Sequence, residues 1–146
     1  MAKPDIPLDR LLSYRLHQVA KLSDRASSEA YESELGLPAG AGRCLAAIGH
    51  FAPLSVMELA ARAHLHKGPA SRAAQALVER ELVRKLASAS DGRGVVLSLT
   101  PAGRRLWRRT MVVIERRNQE IFGCLSATER RQFGVMLDRL IAHTAT

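Results

Sequence analysis

The chain has 146 residues, 47% hydrophobic, 25% charged and 4% aromatic, which fits one ordinary domain and excludes a multidomain machine. At that length folding removes roughly two-thirds of the unfolded chain's surface from water, so no disulfide or metal staple is needed. Two cysteines, Cys44 and Cys124, are too few for a four-thiolate zinc site and indicate a reducing compartment.

Charges interrupt every helical stretch, so no window reaches the roughly 18 uncharged apolar residues of a membrane span. Asp5 and Asp9 lie where a signal peptide needs a positive start and an apolar run. The expectation is a cytoplasmic protein without membrane contact. The net charge of +8 is unevenly placed: residues 1–51 hold six bases and six acids, residues 118–146 three and three, and residues 52–117 thirteen bases against five acids. That middle segment suits a polyanion. Charge alone leaves open the alternative of solvated helix faces, and the order of elements decides between them.

From residue 6 to about 31, Leu8, Leu11, Leu12, Leu16, Val19, Leu22 and Ala26 recur at helical spacing, and Gly36 and Pro38 end the run. A second helix, roughly Ala39–Phe51, carries Leu45, Ile48 and Phe51 on one side. Ser55-Val56-Met57-Glu58 is a capping box that opens a short helix, Val56–Ala63. After the polar link 64–67, Gly68-Pro69 starts a fourth helix over about 69–81, completing a helix-turn-helix. The period then becomes extended: residues 82–86 and 95–99 read as strands around Asp91-Gly92-Arg93-Gly94, a hairpin with a basic tip. Thr100-Pro101 caps a long helix to about Phe122, and Ser126-Ala127-Thr128-Glu129 opens a last one to about Ala142.

This order and the local sequence resemble the MarR family of winged helix-turn-helix transcriptional regulators. The residues that carry the resemblance are Leu54-Ser55-Val56-Met57-Glu58-Leu59-Ala60, Ser71-Arg72, the run Leu77 to Arg84, Asp91-Gly92-Arg93, and Leu97-Ser98-Leu99-Thr100-Pro101-Ala102-Gly103. It covers about residues 8 to 143. It implies a mainly α fold with a small β-hairpin wing, in which about 38–100 form the DNA-binding part and about 6–35 and 101–143 a helical dimerisation part. One departure is the turn at Gly68-Pro69, where the family usually has a Ser or Thr that caps the helix and touches phosphate.

Double-stranded DNA is then the expected partner, with the fourth helix in the major groove and the ribbon along the minor groove. Arg72 and Gln75 are assigned to base edges, because Arg pairs with guanine O6 and N7 and Gln with adenine. Lys67, Ser71 and Arg62 are assigned to phosphates, and Arg93 to the minor groove, where negative potential concentrates. Arg80, near the helix end, suits dipole capping or a surface ion pair as well as it suits DNA. Asp91 reads as a partner that orients Arg93.

Leu11, Leu12, Leu16 and Val19 at one end, and Ile121, Phe122, Phe133, Met136, Leu137, Leu140 and Ile141 at the other, exceed what one winged unit can cover. The expectation is a homodimer, and the resemblance implies two-fold symmetry on a palindromic operator with half-sites about one helical turn apart.

The family commonly responds to small anionic aromatics or to thiol oxidation. Its peroxide sensors place their cysteine in the first helix, so Cys44 and Cys124 read as buried, inert thiols. Arg15 shares the apolar stripe of the first helix and needs an anionic partner, either a protein carboxylate or an aromatic carboxylic acid held bidentately. The family's effector pocket lies between the first, second and fifth helices, within reach of Tyr14, His17, His50 and Trp107.

His64 and His66, two ligands on a turn, make a poor metal site, and no cofactor is expected. No nucleophile elbow, phosphate-binding glycine loop or zinc-protease helix is present, which argues against an enzyme. The alternatives to a ligand-released repressor are a nonspecific architectural DNA binder and a regulator controlled by cysteine oxidation.

Overall fold

Leu37, Leu45, Ile48, Leu54, Leu59, Leu77 and Leu97 come from six different stretches of chain and are all removed from water, so one core organises everything between them. Each such side chain contributes roughly 1.5–3 kcal/mol by burial. The computed structural model describes residues 5–88 and 94–145. They form two compact units, Met1–Ile114 and Glu115–Thr146.

In the first unit a short 3₁₀ turn, Leu8–Arg10, precedes α1 (Leu12–Ala30), and a π-type turn, Tyr31–Leu35, extends it. Gly36 ends it at φ 64, the left-handed conformation that glycine takes without cost, and its N–H caps Glu32 and Tyr31. α2 (Ala39–Phe51) buries Ala41, Cys44, Leu45 and Ile48. Phe51, expected on that face, is instead exposed at 39%.

α3 (Val56–Ala63) opens with the expected capping box: Glu58 N–H donates to Ser55 Oγ at 3.1 Å, and Ser55 N–H donates to Glu58 Oε1 at 3.2 Å. α4 spans Lys67–Glu79, two residues earlier at each end than the sequence suggested. Pro69 falls inside its first turn, where a missing N–H costs nothing. The chain leaves α4 early because Glu81 turns it at φ 61.

β1 (Val83–Ala87) and β2 (Val95–Leu99) pair antiparallel, with Val83 opposite Leu99 and Lys85 opposite Leu97. Leu54 joins their edge through a two-way bridge to Leu97, a third pairing absent from the sequence reading. The hairpin tip, with Asp91 and Arg93, lies outside the described residues.

α5 (Pro101–Phe122) starts on a built contact. Thr100 Oγ1 donates to Glu81 O at 2.7 Å and accepts the Gly103 N–H at 2.9 Å. Gly103 then passes so close to Leu82 that an added Cβ would lie 1.8 Å from its carbonyl oxygen. The Leu-Thr-Pro-x-Gly stretch is therefore a cap, a helix start and a close approach in one. Residues of α5 to Ile114 belong to the first unit.

The second unit holds the end of α5 and α6 (Ala127–Thr144). Phe122 meets Phe133 edge-on at 5.8 Å, and the second capping box, Ser126 with Glu129, is also formed. Its backbone N–H, followed by the hydroxyl, holds the Glu129 carboxyl below its usual range. Cys44 is fully buried, which pushes its thiol up to about 11, whereas Cys124 is exposed, contrary to the expectation of two buried thiols. It follows Gly123 at the turn between the two helices, outside both helical faces. None of the helices is long and apolar enough to cross a membrane among the described residues.

Candidate nucleic-acid interface and adjoining cavity

α4 packs inward through Ala70, Ala74 and Leu77. Helical spacing then turns Gly68, Ser71, Arg72, Gln75, Ala76 and Glu79 outward, and all six are exposed. Lys67 is the first residue of the helix and is also exposed. Four of the six expected DNA-contact residues thus lie along one helix: Lys67, Ser71, Arg72 and Gln75. An added Cβ at Gly68 would meet Arg72 Nη1 at 3.4 Å, so the glycine leaves the guanidinium room over the first turn.

Gln75 is not free. Its Oε1 accepts from Lys85 Nζ at 2.9 Å and its Nε2 donates to Glu79 Oε1 at 3.4 Å. Arg80 donates to the Gly36 carbonyl at 3.2 Å, an internal tie rather than an open cation. Arg62, expected on phosphate, is exposed on α3 and stacks over the Phe51 ring at 4.3 Å. Arg93 lies outside the described residues.

The residues expected at an effector site lie on α1, α2 and α5. Tyr14, Arg15 and His17 are exposed on α1, whose stripe Leu12, Leu16, Val19 and Leu22 is also open, as is Leu8 in the turn before it. Within one chain, Arg15 therefore lacks the buried setting that demanded an anion. His50 packs edge-on against Phe51 at 4.7 Å. Trp107 donates Nε1–H to Ala46 O at 3.2 Å and sits against Gly49, where an added Cβ would approach it to 2.1 Å.

A cavity of about 260 Å³ is walled by the π-type turn, α2, α3 and α5, and none of those five residues lines it. Its apolar wall includes Tyr31, Phe51, Met111 and Ile114, and its cationic groups are Arg43 and Arg62. Burial raises the Tyr31 hydroxyl, opposed by Arg43 and reinforced by Asp24. His64 also lines the cavity, from a left-handed cap at φ 56 on the end of α3. Sequence reading passed over Arg43. The available signal was its isolation as the one Arg or Lys of α2, a turn from Ala46 and Ala47 on the same face.

A helix-turn-helix with its second helix outward, followed by a two-stranded wing, defines a winged-helix DNA-binding protein. The MarR family profile matches residues 35–94. The chain is 30% identical over 132 residues to the HTH-type transcriptional repressor Rv2887 of Mycobacterium tuberculosis, covering 90% of this chain and 94% of that one. The crystal structure of Rv2887 in complex with salicylic acid superposes with a TM-score of 0.76 at 30% identity, over 92% of this chain and 99% of that chain. A second Rv2887 structure, with p-aminosalicylic acid, gives 0.75 at 29% identity over 89% and 98%. For fold alone, a MarR family regulator from Silicibacter pomeroyi gives 0.81 at 24% identity over 98% and 96%. The chain belongs to the MarR family, whose members are transcription regulators rather than enzymes.

Proposed function

We propose that this chain is a cytoplasmic, sequence-specific DNA-binding repressor that works as a two-fold homodimer and leaves its operator on binding a small aromatic carboxylic acid. The observation that carries the DNA reading is the outward face of α4, with Lys67, Ser71, Arg72 and Gln75 in one exposed row on a winged unit. Arg72 reaches a guanine edge through its paired N–H groups, while Lys67 and Ser71 hold phosphate.

The cavity favours the ligand reading. Aromatic and aliphatic walls take the ring, and Arg43 and Arg62 supply the positive charge that a carboxylate needs. Rv2887 binds salicylic and p-aminosalicylic acids in its crystal structures, which supports the same chemical class here. Arg62 thereby moves from the phosphate role expected of it to the ligand.

The test is binding to the DNA flanking its own gene, against random competitor at physiological salt, with and without salicylate-type acids. Arg72→Ala is expected to cost about 1–3 kcal/mol on the preferred duplex and to relax discrimination at one base pair. Arg43→Ala is expected to keep operator binding and lose release by the acid. Equal affinity for operator and random duplex would leave a nonspecific architectural protein instead.

A further inference from the structure

Gln75 is held from two sides by neighbours of opposite chemistry: Lys85 Nζ on its oxygen at 2.9 Å, and Glu79 Oε1 on its nitrogen at 3.4 Å. An ammonium only donates and an ionised carboxylate only accepts, so these neighbours dictate which end of the amide is oxygen. A free Gln exchanges donor and acceptor at one point in space by turning about its last torsion. Major-groove edges differ by that exchange, since adenine offers a donor and an acceptor where guanine offers two acceptors.

We propose that Lys85 is a positioning residue for base recognition: from β1 it holds the Gln75 amide in one orientation, so that α4 discriminates between bases rather than accepting either pattern. The inference rests on α4 as the recognition helix with Gln75 at a base edge. The backbone supports it. Glu81 in its left-handed turn and the buried Leu82 set the path from α4 into β1, and the pairing of Lys85 with Leu97, itself bridged to Leu54, fixes the strand that carries the ammonium. The alternative use of Lys85, a point charge on phosphate, makes different predictions.

The experiment selects duplexes from a random pool with the full-length protein, then measures affinities for all single-base variants of the preferred site over a range of salt. Gln75→Ala identifies the base pair read by Gln75, where preference collapses. Lys85→Met is expected to reduce discrimination at that same pair about 10-fold, with other positions unchanged. Lys85→Arg, which still donates, is expected to restore it. Lys85→Met added to Gln75→Ala should cause no further loss of discrimination. A Lys85→Met protein that binds every duplex uniformly more weakly, with a shallower salt dependence and intact preferences, overturns the proposal in favour of phosphate contact. Intact preferences in Gln75→Ala overturn it as well, by removing the reader. If the wild-type protein selects no sequence at all, the regulator reading itself falls. Unchanged thermal midpoints separate these outcomes from misfolding.

Discussion

At Gly103 a hydrogen occupies the space that any other residue would fill with carbon, 1.8 Å from the Leu82 carbonyl oxygen. Gly103→Ala must push the first turn of α5 off the α4–β1 turn, and a loss of about 1–3 kcal/mol is expected in urea unfolding. The cysteines differ as sharply. Cys44 is buried, with its thiol raised to about 11, and Cys124 is exposed. One thiol per chain should therefore react with an aromatic disulfide reagent near pH 8 in the native protein, and two after unfolding; two fast thiols before unfolding would contradict the burial of Cys44. Sequence reading treated the pair alike because a thiol's burial depends on neighbours that the local sequence does not name. Arg15 and Arg43 make the same point for charge. Arg15 drew attention for its place on an apolar stripe, but that stripe is open in one chain, while Arg43 faces a cavity assembled from four separate segments.

At the scale of elements, local chemistry decided most boundaries. Both capping boxes form as their spacing requires, and Ser55→Ala should lower stability by about 1 kcal/mol, read by thermal unfolding. For Glu129 the sign follows from its lowered folded value. Its contribution is present above the unfolded carboxyl range, near about pH 4.3, and is lost as pH falls through the folded value. The stability gap between wild type and Glu129→Gln should accordingly narrow on acidification; a gap that widened would contradict the cap. The errors lay at the ends of α4 and at Leu54. Pro69 reads as a start signal but is equally permitted within the first turn, and a one-residue bridge leaves no period to read.

For the whole molecule, the question is what covers Leu12, Leu16, Val19, Met136, Leu140 and Ile141, each at least half exposed in the chain. A second copy is the proposed answer. Sedimentation should give twice the chain mass at micromolar concentration, with Leu12→Glu and Leu140→Glu each shifting it toward one; a monomeric wild type would refute the dimer. Since the charge excess lies in residues 52–117, DNA affinity should fall steeply with salt, and Lys67→Ala should reduce that slope by about one.

The sequence by itself determined the winged helix-turn-helix, because caps, periodicity and the Thr-Pro-x-Gly junction act over a few residues and leave their mark in order along the chain. It also marked Lys67, Ser71, Arg72 and Gln75 as the polar side of α4, the side left exposed when Ala70, Ala74 and Leu77 are buried. Only the tertiary structure decided which charges are free. Lys85 is tied to Gln75 across a turn, Arg80 to Gly36 over 44 residues, and Arg62 to Phe51 from the neighbouring helix. Such pairings depend on distance in space, and an exposed side chain carries no local pattern that says where its partner will be.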